Sequence, residues 1–418
     1  MTFLISKENK QLTGDILLDG SKSISNRALL IRALTSEHFD ISHLSTSEDS
    51  QTMVRLLNSA DQELDAGPAG TTFRFLTAYL AIKEGEQILT GSARMKQRPI
   101  GPLVDALNIL GANIQYLEKK GYPPLRIGDP QNLGKSSTLQ IPADISSQFI
   151  SALLMIAPVL PNGLEIKLVG DLVSASYLQM TLTMMHHFGI TYSYQDQVIR
   201  VPTQSYQAKP YTVEADWSAA SYHYAAASLA VDADLRLHGL QPQSMQGDSI
   251  TSALFKKLGL ITTWHNEGLQ ITRHGKPDGM LEHDYLLCPD IAQTIAVAAA
   301  GLGISSLFSG LETLSIKETD RIAALQTELM KVGTSFHKMP ARFSKETQKT
   351  YYMLEGKASW DQPPRFATYH DHRMAMAFAP LSILAPVVIE DPGVVGKSYP
   401  GFWDDLTTLG WSIELIDD

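Results

Sequence analysis

The sequence repeats one local pattern along its length: an apolar helical stretch ends on a glycine and continues into alternating apolar and polar residues. Five copies are clear, and their glycines are Gly111, Gly189, Gly259, Gly333 and Gly410. Glycine suits the left-handed residue that closes a helix. The period-two alternation after it predicts a β-strand. Each copy therefore predicts a helix that reverses into a strand.

A sixth, weaker copy lies nearer the amino terminus, with Asn58 in the place of the glycine. Asparagine is one of the few other residues that adopt the left-handed conformation. The helix ends follow one another at about 50 to 80 residues, within or somewhat beyond the periods of repeated supersecondary units. The sequence therefore predicts six related α/β units.

A second signal occurs once in each unit, where small hydroxylic or acidic residues precede a nearly all-apolar helix. The six stretches are GSKSISNRALL, AGTTFRFL, ISSQFISALLM, DWSAASYHYAAA, PDIAQTIAVAAA and YHDHRMAMAFA. Helices this apolar are buried, so six of them indicate two compact bundles faced by sheets. Capping alone could explain the polar residues, above all in DWSAASY. In the other five they exceed what capping needs, which favours helix amino termini that line a cleft.

The first of these stretches places two cations, Lys22 and Arg27, in the opening turns of a helix. A helix amino terminus carries a partial positive charge, so cations there are unfavourable. We therefore expect an anionic ligand to offset these charges.

Composition limits the classes of function. The chain has 418 residues, 44% of them hydrophobic, and a net charge of −10. Its length suggests two or three domains, and the acidic balance argues against nucleic-acid binding. The single cysteine, Cys288, excludes internal disulfides and a cysteine-rich metal site. Without a bilayer-spanning apolar run or a secretory leader pattern, we expect a soluble, cytoplasmic protein that does not bind membranes.

Eight stretches together resemble the 5-enolpyruvylshikimate-3-phosphate synthase family, whose members are also called 3-phosphoshikimate 1-carboxyvinyltransferases. They are GSKSISNRALL, AGTTFRFL, GSARMKQRPIGPLVDAL, SSQFISALLM, GDLVSASY, SMQGD, IKETDR and YHDHRMAMAFAP, in order from Gly20 to Pro380, and Lys397 in GKSYP extends the match. Collinearity over nearly the whole chain is far more specific than any single motif. The resemblance implies an α/β enolpyruvyl-transferase fold of two domains. Each domain would contain three repeated βαβαββ-type units around buried parallel helices, an inside-out α/β barrel.

The resemblance also implies the domain boundaries. One domain is expected over residues 20–213, mainly on the side of shikimate 3-phosphate. The other is expected to combine residues 1–19 with 214–418. The active site would lie in the cleft between them.

The implied substrates are two anions, shikimate 3-phosphate and phosphoenolpyruvate. Either of them would supply the anionic ligand expected at Lys22 and Arg27. The residues expected at shikimate 3-phosphate are Lys22, Ser23, Arg27, Ser146, Ser147, Gln148, Ser174, Tyr177, Asp290 and Lys317. Those expected at phosphoenolpyruvate are Lys22, Gly70, Thr71, Arg98, Gln148, Arg321, Arg373 and Lys397. Arginine suits these sites because its planar fork binds carboxylate or phosphate with two hydrogen bonds.

The implied reaction is an addition followed by an elimination. It needs a base for the attacking 5-hydroxyl, an acid for the methylene carbon and cations around the leaving phosphate. Asp290 and Glu318 match the catalytic carboxylates of the family, and Lys22 could share the proton transfers. From spacing alone, Asp290 could be only a helix cap and Glu318 only an ion-pair partner of Lys317 or Arg321.

No metal or cofactor is expected. His370 and His372 flank Asp371, but no further ligands stand at metal-binding spacing and the family needs no metal. The expected partners are the two small substrates alone, with the protein a monomer.

Two other functions stay open at this stage. UDP-N-acetylglucosamine enolpyruvyl transferase shares the fold and phosphoenolpyruvate, but it carries a reactive cysteine in the loop that here reads TGSARMKQRP, which has none. A catalytically silent homologue that binds anionic metabolites is the other possibility, although both carboxylates and all the arginines are present.

Two further expectations concern departures from the family pattern. Pro68, Phe75 and Thr313 replace residues common in relatives, and we expect them to weaken inhibition by glyphosate at the phosphoenolpyruvate site beside Gly70. The polar stretch 340–366 is interpreted as a surface insertion within the last unit.

Overall fold

The structure, a computed structural model, describes residues 1–143, 146–170, 172, 175–277, 279–344, 346 and 349–417. The chain divides into two compact units. We call Gly20–Val213 the inserted unit, because it interrupts the other one. Met1–Asp19 and Glu214–Asp418 together form the split unit.

Twelve α-helices occur among the described residues. They are α1 (Lys22–Leu34), α2 (Glu48–Leu57), α3 (Gly70–Leu80), α4 (Gly101–Ile109), α5 (Ser147–Ile156), α6 (Ala175–His187), α7 (Trp217–Leu229), α8 (Thr251–Lys257), α9 (Ala292–Leu302), α10 (Arg321–Met330), α11 (His372–Phe378) and α12 (Phe402–Thr408).

The strands of the inserted unit are β3 (Ile41–Ser42), β4 (Glu63–Asp65), β5 (Gln87–Thr90), β6 (Asn113–Tyr116), β7 (Leu125–Gly128), β8 (Thr138–Pro142), β9 (Leu164–Val169), β10 (Ser193–Gln195), β11 (Val198–Val201) and β12 (Tyr211–Thr212). Those of the split unit are β1 (Thr2–Ser6), β2 (Gln11–Leu17), β13 (Asp232–His238), β14 (Leu260–His265), β15 (Gly268–Arg273), β16 (Leu281–Asp284), β17 (Ser306–Ser309), β18 (Ser335–Lys338), β19 (Tyr352–Glu355), β20 (Arg365–Phe366), β21 (Val387–Glu390) and β22 (Ser412–Ile416).

Five four-stranded sheets share one topology. Their strand orders are β4-β5-β7-β6, β8-β9-β11-β10, β2-β13-β15-β14, β16-β17-β19-β18 and β20-β21-β1-β22. In each sheet the first pair is parallel and the next two pairs are antiparallel. Parallel neighbours need a long crossover, which a buried helix supplies in each case. In the described part of the chain these are separate open sheets. The prediction of a repeated α/β fold is confirmed.

The sixth copy of the pattern forms a two-stranded sheet, the parallel pair β3 and β12, instead of a four-stranded one. The left-handed conformation predicted for Asn58 at the end of α2 is wrong, because its φ is −101° and its ψ is −1°. The side-chain amide of Asn58 (Nδ2) instead donates to the carbonyl oxygen of Val54 at 2.7 Å. The side chain thereby satisfies a carbonyl at the helix end, so no left-handed residue is needed there.

The other five helix ends follow the prediction. The φ angles of Gly111, Gly189, Gly259, Gly333 and Gly410 lie between 75° and 102°. All five glycines are therefore left-handed, as the closing residue of a helix requires.

Two groups of buried helices occupy the centres of the units. In the inserted unit α1, α3 and α5 contact one another, and in the split unit α7, α9 and α11 do so. Twelve residues of α7 and ten of α9 are buried, which confirms the prediction of nearly all-apolar core helices.

The interpretation of 340–366 as a surface insertion is wrong. The stretch contains β19, which pairs with both β17 and β18 and so completes the sheet of the unit before the last. Leu354 of this strand is fully buried. Strand β19 was difficult to predict because it is only four residues long and lies within a polar stretch.

The buried helices begin in two ways. Asp216 accepts from the amides of Ser218 and Ala219 at the start of α7, so capping is the correct reading of DWSAASY. Asp371 caps α11 in the same way. Among the described residues, no side-chain cap hydrogen bond forms at the start of α1, α3, α5 or α9. The described residues include no helix with the length and apolar character needed to cross a membrane.

Candidate active site

In the inserted unit, Lys22 is the first residue of α1. Its ammonium nitrogen lies 3.5 Å from the Asp49 carboxylate, and the Lys22 side chain is 15% exposed. Asp49 belongs to α2, so two neighbouring helices position this cation. The Asp49 carboxylate thereby offsets the positive charge of Lys22 at a helix start, where the helix dipole is unfavourable for a cation.

Arg27, one turn further along α1, is 2% exposed. Its guanidinium donates to Thr181 Oγ1 at 2.8 Å, Ser151 Oγ at 3.1 Å and the carbonyls of Ser23 at 2.9 Å and Tyr177 at 3.4 Å. All four acceptors are neutral. Burial lowers the pKa of Arg27 to about 10, so the group stays charged at neutral pH. A buried cation held only by neutral oxygens is well suited to an anionic ligand.

Gly70 begins α3 and lies directly against two arginines. A methyl group at this position would be 2.5 Å from Arg98 Nη1 and 2.8 Å from Arg74 Nη1. Arg74 Nη1 also donates to the carbonyl of Gly70 at 2.9 Å. The absence of a side chain at residue 70 therefore allows two guanidinium groups to converge at this helix start.

The start of α5 adds neutral groups to the same unit. Ser146 precedes the helix, Ser147 is its first residue, and the Gln148 amide nitrogen donates to Thr71 Oγ1 at 2.9 Å. The Arg27 guanidinium carbon lies 5.9 Å from the centre of the Tyr177 ring. The predicted contact Ser174 lies outside the described residues.

In the split unit, the Asp290 carboxylate lies among three cations. Arg321 Nη1 is 3.0 Å away, Arg373 Nη2 is 3.2 Å away and Lys317 Nζ is 3.7 Å away. Arg373 Nη1 additionally donates to the Tyr222 hydroxyl at 3.3 Å. Asp290 precedes α9, Arg321 begins α10 and Arg373 lies in α11, so three helix starts meet at this carboxylate.

Glu318 joins the same cluster. Its carboxylate accepts from Arg321 Nη2 at 2.9 Å and from Lys397 Nζ at 3.2 Å. Arg321 Nε donates to Asp371, which is fully buried, at 2.7 Å. Glu318 is therefore an ion-pair partner of Arg321, as its spacing allowed, and it also holds Lys397.

The charges of this cluster leave one formal positive charge in excess, with Lys317, Arg321, Arg373 and Lys397 facing Asp290, Glu318 and Asp371. Burial lowers the pKa of Lys317, although Asp290 opposes the shift. Burial also disfavours charged Arg321, but Asp371, Glu318 and Asp290 outweigh it and raise the pKa of Arg321. For Lys317 the effect of burial on the pKa is therefore larger than that of its carboxylate neighbours, whereas for Arg321 it is smaller.

A further carboxyl group borders the cluster. Burial, with the charge of Asp290 second, raises the pKa of Asp248 to about 7. The Ser218 hydroxyl donates to Asp248.

Sequence reasoning missed several groups that hold these side chains. Asp49 gives no motif signal, because it looks like an ordinary acidic residue in the first turn of α2. Arg74 and Asp371 stand inside recognised stretches and could have been found by asking which buried charges need partners. Thr181 and Ser151 show no signal, since only the packing of α5 and α6 brings them to Arg27.

The three residues expected to weaken inhibition by glyphosate differ in their burial. Pro68 is exposed, whereas Phe75 is fully buried and its ring centre lies 5.5 Å from the Arg27 guanidinium carbon. The Thr313 hydroxyl is buried and has no hydrogen-bond partner among the described residues. Weakened inhibition stays a prediction. Within the described part of the chain, no three His, Cys, Asp or Glu side chains converge to hold a metal ion.

Comparison with known proteins gives a consistent result. The family model of EPSP synthase (3-phosphoshikimate 1-carboxyvinyltransferase) matches residues 6–60 and 55–406. A 3-phosphoshikimate 1-carboxyvinyltransferase of Bacteroides fragilis is 44% identical over 421 residues, which covers 100% of both chains. The protein of the same name from Colwellia psychrerythraea is 37% identical over 429 residues, covering 96% of this chain and 97% of the relative.

Solved structures agree on the fold. An EPSP synthase from Acinetobacter baumannii superposes with a TM-score of 0.79 over 99% of this chain and 100% of that one, at 21% identity. The family model and the curated relatives each cover most of the chain. This chain therefore belongs to the EPSP synthase family.

Proposed function

We propose that this chain transfers the enolpyruvyl group of phosphoenolpyruvate to the 5-hydroxyl of shikimate 3-phosphate. The products are 5-enolpyruvylshikimate 3-phosphate and phosphate, on the route to chorismate and the aromatic amino acids. Membership of the family and the names of its relatives support this proposal.

One observation carries the proposal furthest: two carboxylates, Asp290 and Glu318, each lie against at least two cations. Transfer of an enolpyruvyl group needs groups that move protons beside groups that stabilise a departing phosphate. A site that only binds anions gains nothing from carboxylates, because they reduce its positive potential.

We propose that the reaction proceeds by addition and elimination through a tetrahedral intermediate. The 5-hydroxyl loses its proton to a base as its oxygen bonds to C2 of phosphoenolpyruvate, while an acid gives a proton to C3. In the second step the bond from C2 to the phosphate oxygen breaks, and C3 gives a proton back to the site. Asp290 and Glu318 are the proposed groups that accept and return these protons, and Lys22 assists them.

The remaining side chains bind the two anions. In the proposal Arg98, Arg321, Arg373 and Lys397 bind phosphoenolpyruvate, with Gly70, Thr71 and Gln148. Arg27 binds shikimate 3-phosphate, with Ser23, Ser146, Ser147, Ser174, Tyr177 and Lys317. The buried charge of Arg27, held by neutral oxygens, supports an anion at that point.

The sugar-nucleotide enolpyruvyl transferase is the weaker candidate. Its reaction loop carries a reactive cysteine, whereas Cys288 lies elsewhere and is 2% exposed. Burial raises the pKa of the Cys288 thiol, so the nucleophilic thiolate is disfavoured.

The test is release of phosphate from phosphoenolpyruvate that depends on added shikimate 3-phosphate. The natural protein should turn over, and Glu318→Gln should lower kcat by about 10²- to 10⁴-fold, the usual contribution of a general acid or base. Glu312→Gln is a matched control, because Glu312 is an exposed carboxylate in the same loop. It should retain natural activity.

Two outcomes would contradict the proposal. Turnover with UDP-N-acetylglucosamine in place of shikimate 3-phosphate would favour the other transferase. Binding of both substrates without phosphate release would favour a silent homologue. A cytoplasmic location, a monomeric state and the absence of a cofactor stay predictions.

A further inference from the structure

Helix α10 is joined at two points to the segment that leads into α11. At the start of α10, Arg321 Nε and Nη2 donate to the two Asp371 oxygens at 2.7 and 3.3 Å. Seven residues later, Glu328 Oε1 accepts from the Tyr369 hydroxyl at 2.7 Å, and Oε2 accepts from the Ala367 amide at 3.2 Å. Residues seven apart lie on the same helix face, so one face of α10 holds both ends of this segment.

The Glu328 carboxylate is fully buried although it is not part of the proposed catalytic cluster. Lys331 Nζ lies 2.6 Å from Oε2 and supplies the compensating charge. The hydrogen bonds from Tyr369 and Ala367 satisfy the remaining acceptor capacity. A buried carboxylate is retained only where its partners are fixed, so Glu328 imposes a defined position on residues 367–369.

The segment held in this way has an unusual backbone. Tyr369 and His370 have φ angles of 54° and 56°, so two successive residues other than glycine are left-handed. Such residues persist where the surrounding structure holds them. The turn ends with the Asp371 amide bonded to the Thr368 carbonyl at 2.9 Å, and Asp371 then accepts from the Arg373 amide at 2.9 Å. The direction of this turn sets where Asp371 and Arg373 enter α11.

We propose that Glu328 and Tyr369 form a clamp that acts as a pair of positioning residues for the reaction. The clamp holds the left-handed turn and thereby fixes Asp371 against Arg321 and Arg373 beside Asp290. This inference rests on the proposed function, in which Arg321 and Arg373 bind phosphoenolpyruvate. The clamp touches neither substrate, and its effect is on the affinity for phosphoenolpyruvate.

The experiment compares Tyr369→Phe and Glu328→Gln with the natural full-length protein. Tyr369 is 37% exposed, so phenylalanine removes the hydroxyl with little effect on packing. Tyr224→Phe is the control, because it removes a tyrosine hydroxyl of the same unit that bonds Thr262 Oγ1 of β14 at 2.8 Å and not the turn. If Glu328→Gln fails to fold, Tyr369→Phe decides the question.

We expect each clamp variant to raise KM for phosphoenolpyruvate on the order of tenfold, as loss of a hydrogen bond to a charged group predicts. KM for shikimate 3-phosphate should change by less than about twofold. The double variant should lose little more than Tyr369→Phe alone, because Glu328→Gln weakens the same hydrogen bond that Tyr369→Phe removes. Hydrogen exchange of peptides covering residues 366–374 should become faster in both variants and stay unchanged in Tyr224→Phe.

A purely structural role predicts something else. If Tyr369→Phe lowers the melting temperature as Tyr224→Phe does, with KM for phosphoenolpyruvate and exchange of 366–374 unchanged, the clamp is overturned. If the natural protein does not release phosphate from the two substrates, the proposed function fails instead. The exchange measurement then still decides whether Glu328 and Tyr369 hold the turn.

Discussion

At residue 70 the chain has no side chain, and this is what permits Arg74 and Arg98 to approach the start of α3. A methyl group there would be 2.5 Å from Arg98 Nη1 and 3.0 Å from Arg98 Cζ. These atoms are the ends of flexible side chains, so they can move without unfolding the unit. The geometry of the cationic site is therefore more sensitive than the stability of the fold.

We expect Gly70→Ala to raise KM for phosphoenolpyruvate on the order of tenfold, because the displaced guanidinium groups lose charge-assisted hydrogen bonds to the ligand. The melting temperature should change little, since alanine has the higher helix propensity. Steady-state kinetics and calorimetry on the same samples provide the measurement.

Gly101→Ala is the control for this change. Gly101 is the first residue of α4, as Gly70 is of α3, but a methyl group there would meet nothing closer than 3.5 Å. It should leave both KM values unaltered. A Gly70→Ala protein with unchanged KM for phosphoenolpyruvate would show that the arginines do not need this approach.

The sequence indicated which charged residues lie together better than it indicated what holds them. Arg321 and Asp290 stand in recognisable stretches, and the structure brings them within 3.0 Å. Asp49 could not be identified, because its contact with Lys22 depends on how α1 and α2 pack. Periodicity gives the face of a helix but not the neighbour that a particular side chain meets.

At the scale of the element, the helix ends were predictable because they depend on local backbone chemistry. Five glycines gave five left-handed residues. The failures were Asn58 and the strand β19, and both have physical causes. Asn58 can satisfy a carbonyl with its own amide, and β19 is only four residues long within a polar stretch.

Two of these helix ends allow a matched comparison within the inserted unit. Gly111 and Gly189 have φ angles of 102° and 89°. A methyl group at Gly111 would overlap the backbone carbonyl of Asn132, whereas at Gly189 the nearest atoms belong to the side chain of Gln207. Both substitutions incur left-handed strain, but only the first must also displace backbone.

We expect Gly189→Ala to reduce the free energy of unfolding of this unit by about 1 to 2 kcal/mol, the cost of left-handed alanine. Gly111→Ala should reduce it by more, on the order of 3 kcal/mol, since backbone must also move. Urea unfolding followed by circular dichroism measures both. Equal losses in the free energy of unfolding would mean that the backbone around Asn132 moves at no measurable cost.

At the scale of the whole molecule, the split unit depends on two distant parts of the chain. The segment 1–19 supplies β1, which pairs with both β21 and β22, and β2, which pairs with β13. Ile5, Leu12 and Ile16 of this segment are at most 2% exposed. Residues 214–418 alone would therefore lack two strands and part of the core.

Strand register shows how the two parts can be joined. Thr2 of β1 lies opposite Ile416 of β22 in an antiparallel pair. Adjacent strands are about 5 Å apart, so a hairpin loop of about four to six residues can join residue 418 to Met1. The joined chain then runs 214–418, linker, 1–19, and contains every strand of the split unit.

We expect this permuted chain to fold with a cooperative thermal transition, and residues 214–418 alone to remain unfolded, because burial of Ile5 and Leu12 contributes about 1.5 to 3 kcal/mol for each side chain. Leu12→Lys in the permuted chain is the control, since it places a charge in the core without altering the linker. Near-ultraviolet circular dichroism and calorimetry separate the three proteins. If residues 214–418 fold alone, the split unit does not need its first two strands. If the permuted chain does not fold, the split unit needs the inserted unit in order to fold.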